Sequence, residues 1–232
     1  MCFSATASFA TGVVLLPLGV RGVALALRRE PARWLPLAVT PLLFAGQQVL
    51  EGIVWLALDH AAPEPLLRPA ALAYLAFAFA FWPVWMPWCS LRLAAGQASV
   101  GVQRLMCLCW GMGALLAAQL WLPLLRNPGL IQPIVRHGSI DYQVEVPASV
   151  LLGHQPLTLL YALIVCLPLL LTPSWRLRWL SLALALAFAI AQLAYLHAFS
   201  SVWCYFSAVL SILVLWVLAE DRLPAEIGRC HP

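Results

Sequence analysis

One acidic side chain lies well inside a long apolar segment of this sequence, and it has polar neighbours on one helical face. Glu51 follows Gln47 and Gln48 by about one helical turn and precedes Trp55 by another, so the four side chains form a stripe. A charged residue at the middle of a membrane helix costs about 2.5–3.5 kcal/mol, so such residues face protein or water. The stripe predicts a polar pocket or an ion pathway. The alternative is a hydrogen-bonded carboxyl group that only joins two helices.

Thiol and imidazole side chains elsewhere in the sequence could complete a metal site with this carboxylate. Cys2, His197 and Cys204 are the residues that could join Glu51, and this set of donors suits zinc or copper. We name these four residues as the candidate metal ligands. Two other interpretations stay open. A buried cysteine is often only a small apolar residue, and Cys2 could form a disulfide with Cys204 on the oxidising side of a membrane.

The elements that position these residues follow from a composition typical of membrane proteins. Hydrophobic residues make up 63% of the 232 residues and charged residues only 9%, whereas about a quarter of an average soluble domain is charged. The basic residues are 13 arginines without a single lysine, which excludes retinal or pyridoxal bound as a Schiff base. The net charge of +4 lies in the connecting loops and requires no nucleic-acid partner.

Seven apolar segments are long enough to cross the hydrocarbon core of a bilayer, about 30 Å thick, as helices. They are residues 4–27, 34–58, 70–88, 105–125, 156–171, 178–197 and 200–218. The fold class predicted is therefore all-α, a polytopic seven-transmembrane-helix bundle that forms a single membrane domain over residues 1–219. Residues 220–232 are predicted to be a short cytoplasmic tail.

Arginines in the connections predict the orientation of the bundle. One set of alternating connections and termini holds Arg28, Arg29, Arg33, Arg92, Arg104, Arg176, Arg178, Arg222 and Arg229, and the other holds only Arg68, Arg126 and Arg136. Because positive residues concentrate on the cytoplasmic side, we expect the N-terminus outside and the C-terminus in the cytoplasm. The abundance of alanine, leucine and arginine indicates a bacterial plasma (inner) membrane.

This orientation brings the candidate residues from four helices to one depth near the outer face. The outward-facing pocket predicted there is formed by Gln47, Gln48, Glu51, Trp55, Ser200 and Trp203. The candidate metal ligands lie in the same layer, and Gln47 and Gln48 would orient them.

The longest connection, residues 126–155, falls on the predicted outer side. Within it, residues 140–146 (IDYQVEV) alternate apolar and polar side chains, which is typical of a strand. We predict a short hairpin or lid over the outer mouth of the bundle. The alternative is a passive loop.

Three segments of the sequence carry a family resemblance. The opening MCFSATASF, the segment PLLFAGQQVLEGIVW and the run FWPVWMP resemble an uncharacterised family of bacterial multi-pass membrane proteins, catalogued as a domain of unknown function. Its members begin with a similar MCFSA-x-ASF segment, and the resemblance covers most of the chain. No activity is assigned to that family, so the resemblance implies location and topology only.

Two functions fit these observations best. The first is an inner-membrane protein that binds a transition metal or a redox cofactor in its outward-facing pocket. The alternative is a transporter of a small polar solute or ion, with Glu51 as a proton-coupled gate and Pro17, Pro83, Pro87 and Pro168 as hinges. A structural or sensory membrane module is a third interpretation. The nucleotide-binding, hydrolase and metalloprotease motifs of soluble enzymes are missing from the sequence, and no enzymatic activity is assigned.

Overall fold

The computed structural model describes residues 4–28 and 30–220, apart from the side chains of His197 and Glu220. Within this part of the chain the elements are helices and one short β-hairpin. The α-helices are α1 (Ala5–Leu27), α2 (Pro31–Ala38), α3 (Thr40–Asp59), α4 (Glu64–Leu75), α5 (Trp82–Ala94), α6 (Val100–Arg126), α7 (Pro147–Leu152), α8 (His154–Leu170), α9 (Trp175–Ala194), α10 (Phe199–Leu210) and α11 (Leu213–Glu220). The strands are β1 (Ile134–Arg136) and β2 (Ser139–Asp141).

Six stretches of helix in the described chain are long and apolar enough to cross a membrane. They are Ala5–Leu27, Pro31–Asp59, Glu64–Ala94, Val100–Arg126, Trp175–Ala194 and Phe199–Ala219. The all-α prediction is thereby confirmed. The remaining predicted span corresponds to α8, a shorter apolar helix of 17 residues, so the count of seven and the orientation stay predictions.

A wide helical turn joins α4 to α5 and has an identifiable cause. Residues Ala76–Phe81 form a π-helix, in which the carbonyl of Ala78 would bond the backbone N–H five residues later. That residue is Pro83, which has no N–H. The hydroxyl of Tyr161, on α8, donates to the Ala78 carbonyl instead. A side chain from a neighbouring helix thus satisfies the backbone group that the proline leaves free.

Arginine side chains satisfy further backbone carbonyls at one end of the bundle. Arg92 donates two hydrogen bonds, of 2.9 and 3.1 Å, to the carbonyl of Ala32. This carbonyl lacks its usual helical partner because the residue four positions later is Pro36, which has no N–H. Arg33 donates to the carbonyl of Leu93 near the end of α5, at 2.8 and 3.1 Å. We call this end, which contains Arg33, Arg92, Arg176 and Arg178, the arginine end.

The β-hairpin lies at the opposite end, which we call the hairpin end. Val135 pairs with Ile140 in an antiparallel register, and the turn between the strands has positive φ at His137 and Gly138, as in a type I′ turn. The predicted hairpin is present. The prediction of a strand over residues 140–146 is wrong beyond Asp141, where β2 ends. The Asp141 carboxylate accepts from the backbone N–H of Gln143 at 3.0 Å, and this local turn ends the strand.

Candidate functional site

The carboxyl group of Glu51 lies inside the bundle, where two helices hold it. Its side chain is 1% exposed, and those of Gln47 and Gln48 are fully buried, so the stripe on α3 faces other helices. Ser201, on α10, donates a hydrogen bond to one carboxyl oxygen. Gln48 Nε2 donates to the other at 3.1 Å. Both oxygens of the carboxyl group are therefore fixed in position.

Tyr74 and Cys204 extend this cluster. The Tyr74 hydroxyl donates to the backbone carbonyl of Ser200 at 3.3 Å and also interacts with Glu51 and Cys204. Cys204 lies one turn after Ser201 on α10 and is buried. The structure thus brings the thiol of Cys204 and the carboxyl group of Glu51 into one cluster.

Gln47 connects the cluster to the third apolar stretch. Its Oε1 atom accepts from Trp82 Nε1 at 2.7 Å, and its amide group lies near the Cys204 thiol without a hydrogen bond to it. The ring of Trp82 stacks on Phe44, with the ring centroids 4.0 Å apart. Gln47 is therefore held by a partner whose own ring is fixed by packing.

Four buried polar atoms in or beside the cluster have no hydrogen-bond partner. They are Gln47 Nε2, Gln48 Oε1, Trp55 Nε1 and the hydroxyl of Tyr142. Each buried polar group left without a partner costs about 1–3 kcal/mol. A small polar ligand could pair with these atoms. Gln47 Nε2, Trp55 Nε1 and the Tyr142 hydroxyl would donate hydrogen bonds to it, and Gln48 Oε1 would accept one.

No cation balances Glu51 among the side chains that the structure describes. The ion pairs found in this part of the chain are Arg33–Glu30, Arg68–Glu64 and Arg136–Asp141. The partners of the Glu51 carboxyl group are instead the neutral side chains of Ser201, Gln48 and Tyr74. An ionised carboxylate at this position would be a single uncompensated negative charge within the bundle.

A small cavity extends from this cluster toward the arginine end. Its volume is about 40 Å³, enough for a few water molecules or one small ligand. The rings that line it are Phe44, Trp82, Tyr161 and Trp203. Cys204 lies at its boundary with the cluster, and Thr40, Ser207 and Ser211 contribute the other polar side chains of the lining.

A much larger space of about 780 Å³ opens at the hairpin end, and we call it the vestibule. The charged, titratable and polar side chains that line it include Arg136, Asp141, Tyr142, Glu145, His154 and Ser200. The vestibule therefore contains several charged and titratable side chains, whereas the lining of the cavity is mainly aromatic and apolar. Both spaces adjoin the cluster around Glu51, because Tyr142 and Ser200 border one side and Cys204 borders the other.

Tyr142 separates the vestibule from Glu51. It directly follows β2, its side chain is 5% exposed, and its ring stacks on Tyr74 with the centroids 5.0 Å apart and the planes within 7°. Burial raises the pKa of the Tyr142 hydroxyl well above its usual value, and the nearby Glu51 and Cys204 raise it further. The phenol is therefore neutral, and its ring lies between the vestibule and the ring of Tyr74.

The remaining predicted pocket residues lie around the same cluster. Trp55 is buried one turn beyond Glu51 on α3. Ser200 contributes its backbone carbonyl, and Trp203 donates to the carbonyl of Leu184 at 3.4 Å while its ring lines the cavity. Ser201 is not one of the six predicted pocket residues, although it is adjacent to Ser200. Tyr74 and Tyr142 are not among them either, because their roles depend on packing between elements.

The candidate metal site stays a prediction. Two of its four ligands, Cys2 and the side chain of His197, lie outside the described residues. Within the described part of the chain, no group of three or more histidine, cysteine, aspartate or glutamate side chains is arranged to hold a metal ion. Glu51 and Cys204, the two ligands that the structure describes, lie in the same cluster.

Six apolar helices of membrane length around a buried polar cluster define the architecture of a multi-pass membrane protein. A family model described as a family of unknown function (DUF6629) matches residues 1–229, and the chain belongs to this family. The resemblance to an uncharacterised family is thereby confirmed. No curated protein and no solved structure matches the chain.

Proposed function

We propose that this protein is a bacterial inner-membrane transporter of a small polar solute or ion, with Glu51 as its proton-coupled gate. The observation that carries the proposal is the set of unpartnered polar atoms around Glu51, at Gln47 Nε2 and Gln48 Oε1. The vestibule at the hairpin end and the cavity toward the arginine end both border the cluster to which these atoms belong. A bound solute would supply the missing hydrogen bonds on its way between the two spaces.

The gate would operate through the partners of the Glu51 carboxyl group. With no described cation beside it, an empty site is favoured when a proton neutralises Glu51. A solute that pairs with Gln48 and Glu51 changes the balance between the protonated and ionised carboxyl group. Binding of solute and binding of a proton are then coupled, which is the requirement for proton-driven transport.

In the N-out, seven-span orientation the vestibule faces the outside of the cell and the cavity lies toward the cytoplasmic half. Tyr142 would control entry from the vestibule, while the stacked rings of Phe44 and Trp82 lie on the inner side. A solute therefore meets one aromatic barrier on each side of Glu51, as alternating access requires.

The test is proton movement in proteoliposomes that contain a pH-sensitive dye. Single amino acids, sugars, polyols, amides and alkylammonium salts are added outside, and the internal pH is followed. We expect at least one solute to move protons with the wild-type protein, and the rate to fall at least about tenfold in Glu51→Gln. Glu64→Gln is the matched control, because Glu64 is 71% exposed and its ion-pair partner among the described side chains is Arg68. Equal rates in wild type and Glu51→Gln would contradict the proposal.

Binding of a transition metal is the second candidate function, and the proximity of Cys204 to Glu51 favours it. Its test is elemental analysis of the purified protein, made without chelators. A near-stoichiometric metal that is lost in Cys204→Ser but kept in Cys166→Ser would support a metal site, since Cys166 is a buried cysteine on α8. A metal-free wild-type protein would contradict it and leave the transporter proposal in place.

A further inference from the structure

The arginine, aspartate and glutamate side chains that line the vestibule carry one negative charge in excess, and the titratable side chain of His154 lines it as well. Arg136 and Asp141 form an ion pair at 3.4 Å and so compensate each other. Glu145 lines the same vestibule and belongs to no ion pair among the described side chains. The next ionisable side chain toward the interior of the bundle is Glu51, which lies close to Tyr142 in the vestibule lining. An anionic ligand would therefore be repelled, whereas a cation would be attracted.

Aromatic faces border this path on both sides of Glu51. Tyr142 and Tyr74 stack on the vestibule side, and Phe44, Trp82 and Trp203 line the cavity. The face of an aromatic ring attracts a cation by about 0.5–2 kcal/mol, and by more when the cation is desolvated. Rings also accept the apolar part of an organic ligand. An aromatic lining with one carboxyl group is the usual environment for an organic cation.

The unpartnered atoms refine this description of the ligand. Gln48 Oε1 is an acceptor beside the carboxyl group, so it suits the N–H of an ammonium group that also contacts Glu51. Gln47 Nε2 is a donor and suits a hydroxyl oxygen on the same ligand. The cavity of about 40 Å³ limits the apolar part to a few heavy atoms.

We propose that the site binds a small organic monocation of the alkylammonium class. This inference rests on the proposed function only for the identity of the site, not for transport itself. The ammonium group pairs with Glu51 and Gln48, and the carbon chain lies against the rings of the cavity. A hydroxyl group on the chain adds a hydrogen bond from Gln47 and strengthens binding.

Four probes of similar size and different charge test the proposal on the purified full-length protein. They are ethylammonium, ethanolammonium, acetamide and acetate, each titrated near neutral pH by calorimetry. We expect saturable binding of both ammonium ions, with ethanolammonium the tighter, weaker binding of acetamide and none of acetate. The affinity for ethylammonium should fall at least about tenfold in Glu51→Gln, because a buried charge pair loses one partner, and stay unchanged in Glu64→Gln.

The ranking of the four probes on the wild-type protein decides the question even if the Glu51 variant does not fold. Tighter binding of acetate or acetamide than of ethylammonium would overturn the inference, as would the same ethylammonium affinity in a folded Glu51→Gln protein. The proposed function fails separately. Ammonium binding without any solute-driven proton movement would contradict transport alone, and transport of a neutral solute without ammonium binding would contradict only the ligand class.

Discussion

At the scale of single residues, Ser201 and Gln48 position the Glu51 carboxyl group from two different helices. Ser201 supplies the contact that joins α10 to α3 at this depth. We expect Ser201→Ala to lower the free energy of unfolding by about 1–3 kcal/mol, because a buried carboxyl oxygen loses its donor. Thermal unfolding in detergent, followed by tryptophan fluorescence, measures the effect.

Ser200→Ala is the matched control for this prediction. Ser200 contacts Tyr74 through its backbone carbonyl, which the substitution leaves in place. Its unfolding temperature should equal that of the wild-type protein. If Ser201→Ala and Ser200→Ala unfold together at the wild-type temperature, the Ser201 hydroxyl does not hold the carboxyl group.

Some residues of the cluster can be predicted from their spacing in the sequence, and others only from the folded structure. The spacing of Gln47, Gln48 and Glu51 within one helix predicts a shared face, because helical geometry alone determines it. Tyr74 and Tyr142 carry no such signal. Their rings meet only after a loop folds back onto a helix 68 positions earlier in the sequence, and a single sequence does not record that pairing.

At the scale of elements, the hairpin carries the residue that closes the site. Tyr142 follows β2 directly, and its ring fills the space between the vestibule and Tyr74. We expect Tyr142→Ala to open this barrier and to raise the rate at which a small maleimide modifies Cys204 by about tenfold or more. Mass spectrometry of the peptide that contains Cys204 gives this rate separately from the other cysteines.

Tyr142→Phe keeps the stacked ring and removes only the hydroxyl group, which has no partner. Its rate of Cys204 modification should therefore stay close to that of the wild-type protein. A Tyr142→Ala protein that folds but modifies Cys204 at the wild-type rate would show that the ring is not the barrier.

The contact between α5 and α6 depends on one glycine. A Cβ atom at Gly113 would lie 1.9 Å from the backbone carbonyl oxygen of Pro83, and neither helix backbone can yield without moving its neighbours. We expect Gly113→Ala to destabilise the bundle by about 1–3 kcal/mol or more. Gly111, on the same helix, has open space at its Cβ position, so Gly111→Ala should be neutral or slightly stabilising. Equal unfolding temperatures for the two variants would contradict this account of the packing.

The apolar segments of the sequence predict where the long helices lie. They predict less well where those helices begin, end or change their helical form. The segment predicted over residues 70–88 belongs to a longer stretch, Glu64–Ala94, because the polar and proline-containing residues before it still fit a helix. The π-turn at Ala76–Phe81 depends on the hydroxyl of Tyr161. Since that partner belongs to another helix, hydrophobic periodicity does not predict the turn.

At the scale of the whole molecule, the orientation depends on whether α8 crosses the membrane. Its 17 residues extend about 25 Å, which is about 5 Å less than the hydrocarbon core. The preceding helix α7 exposes Val150, Leu151 and Leu152 by 77%, 84% and 52%. This exposed apolar surface directly precedes α8 in the sequence, and we expect it to contribute the missing length and α8 to span.

Single cysteines introduced at exposed positions test this topology in intact cells with a membrane-impermeant maleimide. We expect labelling of Gln132→Cys at the hairpin end and protection of Gln97→Cys and Pro173→Cys until the membrane is permeabilised. Gln97 and Pro173 lie in the connections after α5 and α8. Because α6 is long and apolar enough to cross, the two positions share a side only if α8 crosses as well. Labelling of Pro173→Cys without permeabilisation, together with protection of Gln97→Cys, would mean that α8 does not span. Protection of Gln132→Cys with labelling of Gln97→Cys would reverse the orientation that the arginines predict, and the vestibule would then face the cytoplasm.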